Sequence, residues 1–241
     1  MGISRTVQSV FAPALCALPG SAQAPARDIK ELEPRVFVVD DDQSVRTSLA
    51  NLLATEDYAV EVFVSAAEYL ARAPHPGPTC LVLDVQLPGL DGLALQRQLA
   101  EEGRMEQIVF ITGHGDIPMG IGAMKRGAVD FLPKPFRDDQ LLPAVAQALA
   151  RSAEECQQRG EVVESRARFA KLTPREFEVF RLVIAGLLNK EIGAELGVSL
   201  RTIKTHRARV MQKIGVVSVA ELVRLAQKAG VAPARHGPKG P

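Results

Sequence analysis

The stretch Cys80-Leu81-Val82-Leu83-Asp84-Val85-Gln86-Leu87-Pro88-Gly89 decides the fold. Four apolar residues run without a polar break, one carboxylate appears, and a Pro-Gly turn follows. A short apolar run bounded by turn residues predicts a strand buried on both faces, as in a parallel sheet. Asp84 then ends that strand, at the edge where open α/β sheets bind ligands. Alone, it reads equally well as the start of a turn. An earlier strand-like run, Arg35-Val36-Phe37-Val38-Val39, also closes in acid, at Asp40, Asp41 and Asp42. Two buried strands ending in carboxylates gather repelling charges at one sheet edge, and such a cluster calls for a cation.

Five strand-like runs alternate with helix-like ones around this stretch. The strands are Arg35–Val39, Ala59–Phe63, Cys80–Leu83, Gln107–Ile111 and Ala128–Leu132. Ser44–Thr55, Ala66–Arg72, Gly92–Glu101 and Pro118–Arg126 lie between them, and Asp138–Ala150 comes last. Regular βα alternation implies a parallel sheet with helices on both faces and right-handed crossovers. In the flavodoxin-like strand order 2-1-3-4-5, strands one and three are neighbours, so Asp40, Asp41 and Asp84 converge. Strand four finishes Ile111-Thr112-Gly113-His114-Gly115 and strand five finishes Phe131-Leu132-Pro133-Lys134-Pro135-Phe136. The edge thus collects carboxylates, a hydroxyl and an ammonium. Hard oxygen ligands favour Mg²⁺. Asp84 is suited to attack a phosphoryl group and carry it as an aspartyl phosphate, with Lys134 and Thr112 meeting the phosphoryl oxygens.

Val39-Asp40-Asp41-Asp42, Leu83 through Gly92, Ile111-Thr112-Gly113-His114-Gly115-Asp116 and Lys134-Pro135-Phe136 together resemble the receiver domain of two-component response regulators. The resemblance implies that Asp84 is the phospho-acceptor and that Asp40 and Asp41 position Mg²⁺, with the Gln86 backbone carbonyl as a further ligand. It implies that Thr112 and Lys134 sense the phosphoryl group, that Lys134-Pro135 is cis, and that Phe131 is the aromatic whose rotamer follows phosphorylation. Plainer roles suit other residues. Asp42 reads as a helix-start acid, favoured near the positive end of the helix dipole, and Asp91 as a turn or cap residue. His114 reads as a partly exposed spectator. Gly120 and Gly122 each cost about 0.8–1 kcal/mol relative to alanine in a helix interior, so the fourth helix is expected to be marginal.

Charge divides the chain. From Leu172 onward there are twelve Lys and Arg against five acids, net +7; the overall charge is +1, so the preceding part carries −6. An acidic half joined to a basic one suggests two jobs, the second involving phosphates. Cys16, Cys80 and Cys156 are scattered without metal-ligand spacing, which argues for a reducing cytosol and against a disulfide framework or zinc site. No apolar run approaches the ~18 residues of a membrane span. Near the start, Arg5, Val10–Leu18 and Ala22-Gln23-Ala24 have the outline of a signal peptide, but the apolar part is short and broken by Pro13. Residues 1–33 are read instead as a disordered N-terminal extension, and the protein as cytoplasmic.

The receiver is expected over 34–153 and a helical linker over 154–171, extending the last receiver helix, with Gly160 as its candidate break. A second domain is expected over 172–230 and a disordered tail over 231–241. Thr173-Pro174-Arg175-Glu176 is a capping box with proline at the first helical position. Phe177, Phe180, Val183 and Ile184 form a helical stripe, Asn189 can cap a second helix, and Ser199 a third that runs to about Ile214. Ser218-Val219-Ala220-Glu221 opens a fourth. Two short helices around Gly197-Val198 are helix-turn-helix geometry. The third helix carries Arg201, Lys204, His206, Arg207, Arg209 and Lys213, which can meet DNA phosphates; Lys204, Thr205 and Arg209 can reach base edges. A charged helix is by default only solvated, and the preceding turn and caps tilt the reading towards DNA.

Leu172 through Glu176, Gly186, Asn189-Lys190-Glu191-Ile192-Gly193, Leu196-Gly197-Val198-Ser199 and Thr202 through Arg207 are similar to the LuxR-type effector domain, and the whole chain resembles the NarL/FixJ family. The fold expected is therefore an α/β flavodoxin-like receiver followed by an all-α four-helix helix-turn-helix domain. The resemblance implies a non-enzymatic transcription regulator, phosphorylated by a sensor histidine kinase, that binds promoter DNA as a phosphorylation-dependent homodimer and works with RNA polymerase. Ser199 and Thr202 join the DNA-contact set, and Ala220, Leu222, Val223, Leu225 and Ala226 form the dimer contact. Gly193 departs from the family pattern and is expected to loosen the second helix. Two rivals differ in class. A haloacid-dehalogenase-type phosphatase would carry a second acid where this chain has Gln86; a constitutive DNA-binding protein would not need the acid, hydroxyl and lysine set.

Overall fold

The computed structural model describes residues 32–104, 106–113 and 117–234. The chain divides between Gln158 and Arg159 into two compact units. In the first, β1 (Arg35–Val39), β2 (Ala59–Phe63), β3 (Thr79–Asp84), β4 (Gln107–Thr112) and β5 (Asp130–Pro133) alternate with α1 (Gln43–Thr55), α2 (Ala66–Ala71), α3 (Gly92–Glu101) and α4 (Ile117–Lys125), before α5 (Asp138–Ala170). The five strands form one sheet in the order β2-β1-β3-β4-β5, parallel throughout. This is the flavodoxin-like architecture expected from the alternation.

Side-chain alternation along the strands builds two apolar layers. Val36, Val38, Cys80, Val82, Val109 and Ile111 face one way, onto Leu49 and Leu53 of α1 and Leu141 and Val145 of α5. Phe37, Val39, Leu81, Leu83, Ile108 and Phe110 face the other, onto Leu95 and Leu99 of α3 and Ala123 of α4. All six residues of β3 are buried, and each large apolar side chain so placed contributes roughly 1.5–3 kcal/mol. The register aligns Val39 with Leu83 and Thr112 with Pro133. Asp40, Asp84 and Lys134 therefore emerge at the same C-terminal edge. Short acids in the loops after the strands cap the helices that follow. Asp42 accepts from the Ser44 amide at 2.7 Å to cap α1, and Asp91 accepts from the Ala94 amide at 2.6 Å to cap α3.

α5 runs without interruption through Gly160 to Ala170, so the expected break there does not occur. A single glycine costs only about 1 kcal/mol in a helix interior, too little to break a 33-residue helix by itself.

The second unit holds α6 (Pro174–Ile184), α7 (Asn189–Leu196), α8 (Leu200–Ile214) and α9 (Val219–Ala229). Val179, Phe180, Ile192, Ile203, Val210 and Leu222 form the centre of its core. Phe169, assigned from sequence to the linker, is 2% exposed in the same core, with its ring 4.8 Å from that of Phe180. The tail also departs from expectation over 231–234. Val231 and Ala234 pack on the core, the Ala234 amide donates to the Arg181 carbonyl at 3.1 Å, and Arg181 donates to the carbonyls of Ala232 and Pro233. The readings of residues 1–31, His114 and residues 235–241 lie outside the described residues. Among the described residues no helix is long and apolar enough to cross a membrane.

Candidate functional site

The C-terminal edge of the sheet brings Asp40, Asp41 and Asp84 together, with one carboxylate oxygen from each within 4.8 Å of the others. Asp40 is fully buried, Asp84 is 5% exposed and Asp41 is exposed. Lys134 reaches across from β5 and donates to Asp40 Oδ2 and Asp84 Oδ2, each at 2.7 Å. One ammonium thus faces three carboxylates. Like charges this close repel one another, and water screens the exposed Asp41 most. Burial pushes the Asp40 carboxyl above the usual range, against the opposing pull of its Lys134 hydrogen bond. Burial works the other way on Lys134, but its bonds to Asp40 and Asp84 win and hold the ammonium above its usual value.

Local backbone fixes these groups. The Asp42 amide donates to Asp40 Oδ1 at 2.9 Å and the Gln86 amide to Asp84 Oδ1 at 3.0 Å. Thr112 is fully buried at the end of β4, and its carbonyl accepts from the Lys134 amide at 2.7 Å. The Lys134-Pro135 peptide is cis. Phe131 is half-buried, with its ring 6.1 Å from Phe110, and a Cβ on Gly120 would stand 3.2 Å from it. Sequence reasoning missed two supporting residues. Gly92 lies against Asp84 so closely that a Cβ would fall 2.3 Å from the Asp84 carbonyl oxygen. Arg46, in the second turn of α1, donates to the Asp40 carbonyl at 2.7 Å. Neither signal is local: each depends on how a helix settles on a strand end.

In the second unit, α8 exposes Arg201, Lys204, Thr205 and Arg209 on one side and buries Ile203, Val210 and Ile214 on the other. Ser199 caps it, accepting from the Thr202 amide at 3.2 Å, and its hydroxyl lies 2.9 Å from that of Thr202. His206 and Arg207 are half-buried, and His206 Nδ1 has no hydrogen-bond partner among the described residues. Two of the basic side chains are already engaged. Arg207 donates to Asn189 Oδ1 at 2.7 Å, tying α8 to α7. Lys213 donates to Glu176 Oε2 at 2.6 Å, tying α8 to α6. That bond, followed by the Thr173 amide, holds the Glu176 carboxyl at about 2. Lys213 thus braces the fold while its residue stays exposed at the end of α8. Asn189 does not cap α7; the cap is Leu188, whose amide donates to Glu191 at 2.7 Å.

The expected dimer set is split by α9. Leu222 and Ala226 are each 1% exposed and belong to the core, and Leu225 packs against it; an i, i+4 apolar stripe serves the fold first. Ala220 is exposed and Val223 half-buried.

A parallel five-stranded sheet with an acidic pocket and a lysine at its C-terminal edge, in one chain with a helix-turn-helix bearing a basic helix, defines a response regulator. Residues 36–146 match the response regulator receiver domain, and residues 170–226 match the luxR family of bacterial regulatory proteins. The chain belongs to the NarL/FixJ family: a two-component response regulator whose receiver and LuxR-type DNA-binding domain serve transcription regulation. It is 47% identical over 196 residues to Nodulation protein W of Bradyrhizobium diazoefficiens, covering 81% of this chain and 86% of that protein. It is 45% identical to the transcriptional regulatory protein FixJ of Azorhizobium caulinodans, covering 83% and 94% respectively. Among solved structures it is similar to the response regulator StyR, at 48% identity and a TM-score of 0.75, covering 81% of this chain and 99% of that one.

Proposed function

We propose that a sensor histidine kinase phosphorylates Asp84, and that the phosphorylated protein dimerises, binds promoter DNA and acts on transcription with RNA polymerase. A carboxylate oxygen of Asp84 attacks phosphorus, the P–N bond to the kinase imidazole breaks, and that imidazole leaves with the bonding electrons. Lys134, already within hydrogen-bond reach of Asp84, exchanges a carboxylate partner for a phosphoryl oxygen, and the Thr112 hydroxyl donates to another. Asp40, Asp41, Asp84 and the Gln86 backbone carbonyl suit Mg²⁺, because all are hard oxygen donors and three of them converge. When bound, that ion offsets negative charge on the phosphoryl oxygens.

The observation that carries this reading is the single ammonium shared by two buried carboxylates beside a third. Three converging carboxylates suit a divalent cation, and the lysine bonded to two of them is within reach of a phosphoryl group carried on Asp84. Rearrangement around Thr112 and Phe131 would then alter the face formed by α4, β5 and α5. Arg201, Lys204, Thr205, Arg209 and Lys213 are exposed groups suited to phosphates or base edges, while Ser199, Thr202, His206 and Arg207 would fix the angle of α8. Ala220, Val223 and Leu225 are the α9 positions of the expected dimer set that are not fully buried, and so open to a second copy. Pairing two recognition helices raises affinity through avidity, on the order of 10²-fold or more. The test is promoter binding by wild type and Asp84→Ala, with and without a small-molecule phosphodonor. Wild type is expected to gain about 10²-fold and the variant nothing; coincident curves would sink phosphorylation control.

A further inference from the structure

We propose that Arg46 is a positioning residue for the acidic pair: its guanidinium pins the peptide joining Asp40 to Asp41, so that both carboxylates converge beside Asp84. The inference rests on the reading of this pocket as a magnesium-assisted phospho-acceptor site.

On an extended chain, successive side chains point to opposite faces. Asp40 directly follows β1 and Asp41 sits in a bend, yet their carboxylates reach within 4.8 Å of each other and of Asp84. The backbone between them must therefore be turned and kept turned. The Asp40 side chain is held independently, by the Asp42 amide on Oδ1 and Lys134 on Oδ2. Asp41 is exposed, so the orientation of the peptide preceding it governs where its carboxylate goes. The carbonyl of that peptide belongs to a fully buried residue at a strand end, and Arg46 Nη1 donates to it at 2.7 Å. Arg46 is carried by α1, whose first turn is anchored by the Arg46 amide on the Asp42 carbonyl at 3.0 Å. Helix and acidic pair are thus one rigid clip.

Charge alone gives the opposite expectation. A guanidinium beside a cation site repels the cation, so removing it would tighten binding; weaker binding therefore reports the positioning effect. The experiment is calorimetric titration of Mg²⁺ into the unphosphorylated full chain, for wild type, Arg46→Met and Arg46→Lys, with circular dichroism to confirm folding. Loss of such outer-shell support typically costs 10–100-fold in metal affinity. Arg46→Met is expected to weaken Mg²⁺ binding about 10-fold. Arg46→Lys, which keeps a donor with shorter reach, is expected to weaken it less. Should Arg46→Met fail to fold, the lysine variant decides alone. A folded Arg46→Met that binds Mg²⁺ as tightly as wild type, or more tightly, overturns the assignment, as does an unweakened Arg46→Lys where it alone decides. A wild type that binds no Mg²⁺ overturns the metal reading and this assignment with it.

Discussion

Glu176 shows how much one side chain can be asked to do. In sequence it is the acid of a capping box, and the structure confirms that role: its Oε2 accepts from the Thr173 amide at 2.9 Å. The same oxygen also accepts from Lys213 at 2.6 Å, and the residue is only 3% exposed. The capping signal spans three residues and is readable; the lysine partner is 37 residues away and is not. Its carboxyl falls from 4.5 to about 2 in the folded protein, chiefly through Lys213. A depressed carboxyl contributes stability that is present above its unfolded value and disappears as pH falls through its folded one. Glu176 should therefore make the second unit lose stability between about 4.5 and about 2. In Glu176→Gln that part of the pH dependence should vanish. At neutral pH the variant should lose about 1.5–3 kcal/mol, the usual worth of a hydrogen bond to a charged group. Hydrogen exchange of the α6 and α8 amides against pH checks both; parallel pH curves would remove Glu176 as the source.

At the scale of elements, the sequence was clearest where one physical demand dominates. The middle of β3, Cys80–Leu83, had to be apolar because helices cover both faces of the sheet, and Asp84 stood out against that background. The β1–β3 pairing then followed from strand order, and with it the acidic pocket. Elements that serve two demands were harder to read. Leu222 and Ala226 lie on an apolar stripe of α9 that spacing alone could give to a partner or to the core; the core takes them. Asn189 has the chemistry of a cap, but a cap one residue earlier frees its side chain to hold Arg207. Gly193 looked like a weak point in α7, and it is instead a point of close approach. A Cβ there would stand 2.9 Å from the Val198 carbonyl oxygen, which is backbone and cannot swing aside. Helix propensity would make Gly193→Ala stabilising by about 1 kcal/mol. Overpacking against fixed backbone costs about 1–3 kcal/mol, so the net effect should be destabilising and should open the turn between α7 and α8. Calorimetry should show a lower Tm for the second unit; a raised Tm would mean the turn has slack.

For the molecule as a whole, the question is where each unit stops. Composition placed a boundary near Leu172, because the capping box and the basic surplus both begin there. Packing places it earlier. Phe169 is buried against Phe180, the Arg166 guanidinium donates to the Ala229 carbonyl at 3.1 Å, and Glu161 pairs with Lys228. The last turns of α5 are therefore part of the core that supports the helix-turn-helix. The sequence hid this because a charged, proline-free helix reads as linker whichever way its few apolar residues point. A domain of roughly sixty residues has a net stability of roughly 3–9 kcal/mol, and removing one buried phenylalanine typically costs about 3–5 kcal/mol. Surface pairs such as Glu161–Lys228 add little beside that. A fragment spanning 159–234 should accordingly unfold cooperatively in urea, whereas one spanning 172–234 should have lost most of its stability and much of its DNA affinity. Restoring Phe169 alone, in a fragment starting a few residues before it, should recover most of the difference. Equal urea midpoints for the long and short fragments would mean that Phe169 fills space the remaining core can close without it. In that case the boundary belongs where the charge pattern put it.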